Sequence, residues 1–365
     1  MSRRDFLAAT GSLALAAGLP ASRLWATPVK PREVSIGLFG PSHCAAPFVF
    51  TRTKGLFERR QLAVNLVNYP AMPLIAKDLI AGTLDFGQLI VPLAFAIHTG
   101  AKPFEQATPL VIPQVGGTNG AALMVAKASN IKAPGDFMGK TLSNHSKLSV
   151  HYLLNMMFLE MQGLDWTRDV NFRIIELDDS IEAMQRGDVD SFVMPEPKNA
   201  VVEAKGIGTA YMFSKYLWPN HPCCALVTRR QFFEDHRELV TDVTRATTEG
   251  GLVANEASNR EELVDLLRAS SDFRYDQVPK PVLQAAFTPG RSDFFPFPFQ
   301  SSARVIIEIM KRYGLLAADI DEAKLAAEVF LSDLSRSVLT DLGVQAPATN
   351  FRPEKILGKL KEYGA

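Results

Sequence analysis

The sequence has few cysteines and no excess of charge of either sign. Its 365 residues include three cysteines, too few for the disulfide framework typical of small secreted proteins. The 39 basic and 39 acidic residues cancel, so the chain has no global field to attract nucleic acid or an anionic membrane. Selectivity for a charged ligand must therefore come from a local site.

Long apolar runs, internal repeats and low-complexity tracts are also absent from the sequence. No segment after the N-terminus has the length of apolar sequence that a transmembrane helix requires. The chain is longer than one hydrophobic core usually serves, and this length predicts two lobes.

The N-terminus has the pattern of a twin-arginine (Tat) export signal. Ser2-Arg3-Arg4-Asp5-Phe6-Leu7 is followed by a short, weakly apolar stretch that ends at Leu19. Cleavage is expected after Ala26, where no cysteine is available for a lipid anchor. Removing residues 1–26 takes three arginines and one aspartate from the totals of 39 and 39, which leaves a net charge of −2. We expect a soluble periplasmic protein; the alternative is an arginine-rich N-terminal helix of a cytosolic protein.

From residue 33 onward, short apolar runs alternate with helical periods. This rhythm predicts parallel sheets covered by helices, in two α/β lobes joined by two crossing strands. The predicted strands are 34–38, 62–67, 86–90, 140–142, 171–177 and 189–193, and the predicted helices are 47–57, 72–81, 93–98, 150–161 and 181–186. The crossing strands are expected at 120–126 and 225–228. We expect lobe 1 to comprise residues 32–122 and 223–365, and lobe 2 to comprise residues 123–222.

Six segments in a fixed order carry a family resemblance. They are Cys44-Ala45-Ala46-Pro47 with Lys54-Gly55-Leu56-Phe57; Leu84-Asp85-Phe86-Gly87-Gln88-Leu89 with Pro92; Gly187-Asp188-Val189-Asp190-Ser191-Phe192 with Glu196-Pro197-Lys198-Asn199; Trp218-Pro219-Asn220-His221-Pro222; Phe297-Pro298-Phe299-Gln300-Ser301; and Arg312-Tyr313-Gly314-Leu315-Leu316. Together they resemble the periplasmic solute-binding proteins of nitrate and bicarbonate ABC importers, within the wider nitrate/sulfonate/taurine group. The resemblance covers nearly all of the chain after the signal.

The resemblance implies a type II periplasmic-binding-protein fold with the ligand in a cleft between the lobes. It further implies a monomer that captures a small oxyanion without catalysis or a cofactor, and that delivers it to a membrane permease and an ATPase. The sequence departs from the nitrate binders at three points. Cys224 stands at the position of a lysine, Ala71 or Met72 at that of a tryptophan, and Asn144-His145 at that of two glycines. Nitrate itself is therefore poorly supported, and bicarbonate, cyanate, a sulfonate or a small organic acid remain open.

The candidate ligand residues lie in loops near the ends of the predicted strands. Ligands of open α/β sheets bind beyond the carboxyl ends of the strands, and helix N-termini bind anions. One such loop begins the first helix, and a matching loop precedes the long helix of lobe 2, where Ser146 is a candidate cap. The expected ligand residues are Ser42, His43, Cys44, Gln88, Thr118, Asn119, Asn144, His145, Ser146, Glu196 and Cys224.

Several of these residues also have a simpler structural interpretation. Ser42 could be only an N-cap, and Asn119-Gly120 is a typical turn pair. Glu196 is out of place in an anion site unless it pairs with a cation, accepts a proton or binds a metal, so it could instead be a structural carboxylate that accepts loop N–H groups. His151, inside the predicted helix, is interpreted as a packed or surface histidine.

Two further functions compete with oxyanion binding. His221-Pro222-Cys223-Cys224, with His43, Cys44 and His145, could form a soft-metal cluster suited to Cu(I) or zinc. Against this, buried cysteines usually pack as small hydrophobic residues, and neighbours on a strand point to opposite faces, so no metal ligand is assigned. An enzyme similar to the thiamine-pyrimidine synthases would use the same fold, but only Cys223-Cys224 of their cysteine-rich motif is present, and export argues against it.

Overall fold

Two five-stranded sheets organise the part of the chain that the structure describes. A computed structural model describes residues 30–361, except for the side chains of residues 359 and 360. The expected export signal and its cleavage point after Ala26 lie outside the described residues. Within them, no helix is both long and apolar enough to cross a membrane.

Strands and helices alternate through the first two thirds of the described chain, and helices dominate afterwards. The strands are β1 Arg32–Leu38, β2 Leu62–Asn68, β3 Phe86–Ile90, β4 Leu110–Val115, β5 Thr118–Asn119, β6 Ala121–Ala126, β7 Thr141–Asn144, β8 Asn171–Ile174, β9 Ser191–Pro195, β10 Gly208–Phe213, β11 Cys224–Arg229, β12 Ser292–Asp293, β13 Glu354–Ile356 and β14 Lys359–Lys361. The α-helices are α1 Ala46–Thr53, α2 Met72–Ala81, α3 Val91–Thr99, α4 Val150–Met161, α5 Ser180–Arg186, α6 Lys198–Ala204, α7 Arg230–Asp235, α8 Arg237–Asn255, α9 Arg260–Ala269, α10 Lys280–Ala286, α11 Gln300–Arg312, α12 Glu322–Val329 and α13 Ser332–Asp341.

The two large sheets have the same strand arrangement. Sheet one has the order β2-β1-β3-β11-β4, in which β1 is parallel to β2 and β3, and β11 is antiparallel to both of its neighbours. Sheet two has the order β8-β7-β9-β6-β10, again with three parallel strands followed by two antiparallel pairings. The chain leaves sheet one between Val115 and Ala121 and returns between Phe213 and Cys224. The lobe bounds 32–122, 123–222 and 223–365 stay a prediction.

The periodicity of the sequence located most of the elements, and helices α2 and α4 and strand β3 have the predicted bounds. The glycine after α2, Gly82, has φ 79° and ends the helix in the left-handed conformation that glycine adopts readily. Two strands of the large sheets were missed, as were the short strands β5, β12, β13 and β14. In β4, Pro113 interrupts an apolar run, and proline inside a run argues against a strand. In β10, the run begins at a glycine and lies at the edge of sheet two.

The predicted strand over residues 171–177 is shorter in the structure, where β8 ends at Ile174. This strand is at the edge of sheet two and pairs with β7 alone. Ile174 is 51% exposed, so little hydrophobic burial is available to extend the strand.

One hydrophobic cluster contains buried residues of both large sheets and of several helices, among them α3, α4 and α11. Helix α4 is buried from Val150 to Leu159, and this places Met156 and Met157 in the core. A second cluster lies between sheet one and helices α1, α8 and α9. The burial of apolar side chains in these two clusters is the main stabilising contribution to the fold.

Helix α8 packs against α1 at Gly250, and this contact gives a stability test. A methyl group added at Gly250 would overlap the Thr51 hydroxyl. Alanine is otherwise favoured over glycine inside a helix by about 0.5–1 kcal/mol. We expect Gly250→Ala to lower the free energy of unfolding by about 1–3 kcal/mol in urea titrations, because overpacking outweighs helix propensity. The control is Gly135→Ala, since nothing lies within 4 Å of a methyl group there; a Gly250→Ala protein as stable as the wild type would contradict the packing.

Candidate functional site

Two adjoining cavities contain most of the candidate residues. The larger, which we call the groove, has a volume of about 1080 Å³ and is lined by Phe39, Pro70, Ala71, Met72, Pro73, Ala76, Lys77, Ile80, Ala81, Ile90, Leu93, Lys102, Pro103, Phe104, His145, Ser146, Lys147, Leu148, Glu176, Leu177, Asp178 and Leu315. The smaller, the inner chamber, has a volume of about 10 Å³ and is lined by Phe39, Ser42, Cys44, Met72, Gln88, His145, His151, Leu177, Pro195, Cys223 and Cys224. Both cavities are lined by residues from both large sheets and the loops that follow their strands.

The inner chamber lies where the two chain crossings meet the first loop of sheet one. Cys44 is in the loop between β1 and α1, and Cys223 and Cys224 are at the start of β11. Gly116 N–H donates to the Cys224 carbonyl, and Cys223 N–H donates to the Gly117 carbonyl, so backbone bonds between the two crossings fix the cysteines. From sheet two come the loop after β7, which carries His145, and helix α4, which carries His151.

Thiols and imidazoles contact one another inside this chamber. His43 Nε2 is 3.3 Å from Cys44 Sγ, and His151 Nε2 is 3.7 Å from Cys223 Sγ. The Cys224 thiol interacts with Cys44, Cys223 and Gln88. All three cysteines are free and buried.

Adjacent residues of a strand are expected to point to opposite faces. Here β11 begins at Cys224, and both Cys223 and Cys224 line the inner chamber. Among the described residues, the donors that are close enough to share a metal ion include Cys223 but not Cys224. The expectation that both cysteines do not easily serve one metal site therefore stays a prediction. His151, interpreted from the sequence as a packed or surface residue, is packed, and its ring lies against this cluster.

Burial keeps the imidazoles of this region neutral. Burial and the nearby His221 lower the pKa of His43 to about 3, and burial lowers the pKa of His145 to about 4, with a smaller effect of Lys198. The pKa of His151 is likewise lowered by burial. Neutral imidazoles keep a lone pair for a proton or a metal ion.

The pKa values of the three thiols are shifted in different directions. Burial raises the pKa of Cys44, and a hydrogen bond with Cys224 raises the pKa of Cys223. Burial alone would raise the pKa of Cys224, but hydrogen bonds from Cys223, Cys44 and Gln88 lower it.

The N-terminus of α1 does not offer free N–H groups, contrary to the sequence-based expectation. Ala45 and Ala46 N–H donate to the Ser42 carbonyl, and His43 N–H donates to the Glu196 carbonyl. Ser42 Oγ also accepts from Ala45 N–H, but the N-cap position of α1 is Ala45, so Ser42 is not the N-cap of this helix. An oxyanion at this loop would therefore be held by side chains.

At the second loop, the cap of α4 is Ser149 rather than Ser146. Ser149 Oγ accepts from Tyr152 N–H at 3.1 Å. Ser146 Oγ accepts from Leu148 N–H, and the Ser146 side chain lines the groove. His145 is half-buried, but both ring nitrogens are buried and have no hydrogen-bond partner among the described residues.

Five candidate residues do not line either cavity, and one of them, His43, lies against the inner chamber through its contact with Cys44. Asn144 donates to the Val193 carbonyl and accepts from Asn155. Asn119, in the left-handed region at φ 57°, contacts Asp293 and Asn220. Thr118 lines a separate cavity of about 440 Å³, and Glu196 is ion-paired.

Glu196 has the cation partner that its position requires. Its carboxylate is fully buried, Arg291 Nε donates to it at 2.6 Å, and Ala200 N–H donates to its second oxygen. Burial raises the pKa of Glu196, while Arg291 opposes that shift. Glu196 therefore joins the end of β9 to the segment before β12, as the structural interpretation predicts.

The inner chamber also contains residues that were not among the sequence-based candidates. These are Phe39, Met72, His151, Leu177, Pro195 and Cys223. Met72 was noted only as a departure from the family pattern, and Cys223 only in the metal alternative. His151 and His145 have ring centroids 5.2 Å apart, a contact that no local pattern in the sequence indicates.

Comparison with known proteins gives the family. Residues 27–268, more than half of the chain, match the model of the NMT1-like family. The chain belongs to the NMT1-like family.

Relatives of this NMT1-like protein include proteins of cyanobacterial nitrate import. It is 25% identical over 250 residues to the nitrate import ATP-binding protein NrtC of Synechocystis sp., a match that covers 64% of this chain and 37% of the relative. It is 23% identical over 349 residues to the nitrate/nitrite binding protein NrtA of Synechococcus elongatus, covering 84% of this chain and 78% of the relative. The chain thus spans 37% of the length of the first of these relatives.

The crystal structure of the periplasmic nitrate-binding protein NrtA from Synechocystis PCC 6803 has the same fold. The two structures superpose with a TM-score of 0.81 at 17% identity, over 90% of this chain and 94% of NrtA. The predicted α/β class and the periplasmic-binding-protein fold of this NMT1-like protein are confirmed, as is its resemblance to the nitrate and bicarbonate binding proteins.

The neutral state of His145 predicts a pH dependence of stability. The unfolded protein takes up a proton near pH 6.5, whereas folded His145 stays neutral to about pH 4. The corresponding stability is complete above pH 6.5 and is lost as the pH falls toward 4. His145→Gln should reduce the slope of unfolding free energy against pH in this window by up to about 1.4 kcal/mol per pH unit. Urea titrations between pH 7.5 and 4 measure it; His236→Gln, at an exposed histidine, is the control, and equal slopes in all three proteins would contradict a buried neutral His145.

The ion pair of Glu196 predicts a large loss of stability. Arg291→Met leaves a fully buried carboxylate without its cation, and we expect a loss of about 3–5 kcal/mol in the free energy of unfolding. Glu196→Gln in the same chain should recover part of that loss. Arg312→Met removes the exposed pair with Glu160 and should cost about 1 kcal/mol or less. An equal decrease in the free energy of unfolding for the two arginine variants, measured in urea titrations, would contradict the larger contribution expected of the buried pair.

Proposed function

We propose that this chain is the solute-binding component of an ABC importer and that it captures a small organic oxyanion in the groove. It would act as a monomer in the periplasm after Tat export, and it would deliver the solute to a permease and an ATPase. The support for this role comes from relatives named as nitrate/nitrite and bicarbonate binding proteins and as ATP-binding proteins of the same imports.

The chemistry of the groove supports an anion with an apolar body. Most of its lining is apolar, and three lysines, Lys77, Lys102 and Lys147, add positive charge to its walls. No ion pair or hydrogen bond involves these lysine side chains in the described part of the chain. Of the two acidic lining residues, Asp178 is already paired with Lys198 and Arg274. The groove therefore has unpaired cations beside apolar surface.

The size of the groove is the observation that carries the solute class. At about 1080 Å³ it has the volume of sites that bind drug-sized molecules, and nitrate or bicarbonate would fill a small fraction of it. The inner chamber, at about 10 Å³, is too small for either anion, and none of its described lining residues is charged. We accordingly place a sulfonate or carboxylate head near the lysines and its carbon chain on the apolar wall.

Binding rather than catalysis is the proposed role. This proposal is supported by relatives that are named as nitrate/nitrite and bicarbonate binding proteins. The lobes at 32–122 with 223–365 and at 123–222 would close over the bound solute by a hinge motion.

A chain-length series tests the solute class. In calorimetric titrations with alkanesulfonates, each added methylene that reaches the apolar wall should contribute about 0.8 kcal/mol, roughly a fourfold decrease in Kd. Methanesulfonate, butanesulfonate and hexanesulfonate are compared with nitrate, bicarbonate and uncharged hexanol. A decrease in the radius of gyration with the same ligand in X-ray scattering would report closure.

Variants that remove one lysine charge test whether the groove lysines bind the anion. Lys147→Gln should weaken hexanesulfonate binding about three- to tenfold, whereas Lys205→Gln, at an exposed lysine outside the groove, should leave it unchanged. Tighter binding of nitrate or bicarbonate than of every alkanesulfonate would overturn the organic class, and no heat with any anion would overturn the oxyanion function.

A further inference from the structure

The inner chamber concentrates soft donor atoms that the binding of an anion in the groove does not use. Three thiols, the imidazole of His151 and the thioether of Met72 belong to residues that line one cavity, and the His43 ring lies against it. We infer that the chamber binds one soft d10 metal ion, Cu(I) or Zn(II), through Cys44, Cys223 and His43.

The spacing of the three donors is close to that of a metal site. One ligand atom each from His43, Cys44 and Cys223 lies within 4.8 Å of the other two. Donors around one tetrahedral zinc ion are separated by roughly 3.5–3.8 Å, given zinc–sulfur and zinc–nitrogen distances of about 2.3 and 2.0–2.1 Å. The pair formed by His43 Nε2 and Cys44 Sγ, at 3.3 Å, is slightly closer than this separation. A movement of about 1 Å would bring Cys223 to the same distance.

The His43 ring is held in its place by the backbone of the first chain crossing. A methyl group at Gly120 would overlap the ring, and one at Gly117 would be 3.0 Å from its Cδ2 atom. His43 N–H donates to the Glu196 carbonyl, so the main chain is fixed as well. Nδ1 of His43 and Nδ1 of His151 are buried and have no hydrogen-bond partner among the described residues. The nitrogens that face the thiols, Nε2 of His43 and Nε2 of His151, are the candidate ligand atoms.

The size and polarity of the chamber select the ion. A volume of about 10 Å³ is room for about one water-sized particle, so a monatomic ion fits and a polyatomic anion does not. The lining contains no carboxylate, so the oxygen ligands that Mg²⁺ and Ca²⁺ need are not available there. Thiolate, thioether and imidazole are the ligands that Cu(I) and zinc prefer.

Charge balance inside the chamber is also consistent with such an ion. Metal binding displaces thiol protons. Zn(II) with two thiolates and neutral imidazole is uncharged, as is Cu(I) with one thiolate and neutral donors. A neutral complex avoids the cost of an isolated charge in a buried cavity. His151, with Nε2 3.7 Å from Cys223 Sγ, is placed to supply a fourth ligand.

The ion has a route to the chamber from the groove. Phe39, Met72, His145 and Leu177 line both cavities, so the two adjoin along these side chains. The inference does not depend on the proposed organic solute, because the donor atoms and the groove lysines are different residues. Either proposal can fail while the other stands.

Metal titration of the purified chain tests the site. The protein is stripped with a chelator, kept under argon in reduced form, and titrated with Cu(I) against bicinchoninate in one arm and with Zn(II) against a chromogenic zinc chelator in the other. We expect one ion per chain in at least one arm, with a Kd at least a hundredfold lower than that of Cys44→Ser and Cys223→Ser. His236→Gln, at an exposed histidine, should bind as the wild type does, and circular dichroism shows whether each variant is folded.

The folded wild type supplies a second measurement that does not depend on the variants. X-ray absorption at the metal edge should report sulfur and nitrogen neighbours, and the bound ion should protect the thiols from a thiol-specific reagent. Binding in the Cu(I) arm alone identifies copper, and binding in the zinc arm alone identifies zinc. Absence of stoichiometric binding in both arms, or oxygen-only coordination with reactive thiols, would overturn the inference. Titration of the metal-free wild type with hexanesulfonate reports separately on the groove.

Discussion

The close approach of the His43 ring to the backbone of the first chain crossing is the constraint on which the centre of the molecule depends. Glycine at positions 117 and 120 is what permits it, because side chains there would meet the ring. Backbone bonds then tie this crossing to Cys223 and Cys224 on the second crossing. The first crossing thus packs against the His43 ring and is hydrogen-bonded to the second crossing, which is about a hundred residues later in the sequence. The candidate ligand atoms are placed by that packing rather than by flexible loops.

The two cavities differ in charge because they differ in access to water. In the groove, the three lysines lie beside apolar surface and are exposed to solvent. In the inner chamber, desolvation keeps histidines neutral and raises the pKa of Cys44. A charged head group is therefore better accommodated outside, and uncharged soft donors inside. The buried carboxylate of Glu196 likewise has a compensating cation, because Arg291 is 2.6 Å away.

Local sequence periodicity predicted the elements well because burial in this fold follows the period of each element. Helices α2 and α4 end at the predicted residues, and Gly82 marks its helix end through a positive φ. The fold class followed from the order of strands and helices together with the family resemblance. Strand β4 was missed because proline inside an apolar run argues against a strand. Pro113 is tolerated because β4 lies at the edge of sheet one.

The candidate site was harder to predict, because it is assembled from residues distant in sequence. Ser42, Cys44, Gln88, His145 and Cys224 do line the chamber, since loops at the ends of parallel strands converge. Asn144 and Asn119 have the right residue types but form internal hydrogen bonds, which spacing alone does not reveal. Strand alternation predicts that Cys223 and Cys224 point to opposite faces, but Cys223 lies one residue before β11 and both residues line the chamber. The partner of Glu196, Arg291, is 95 residues away, and no sequence pattern connects them.

The shared strand arrangement of the two sheets has a consequence for the order of folding. In sheet one, β11 lies between β3 and β4, so β4 has no neighbour in that sheet until Cys224–Arg229 has been synthesised. Thr228 pairs with Val111 across more than a hundred residues, and such distant contacts are slow to form. Sheet two can therefore form first, because all of its strands lie between Ala121 and Phe213. Sheet one gains its last strand only after Cys224–Arg229 has been synthesised, when the whole of sheet two already exists.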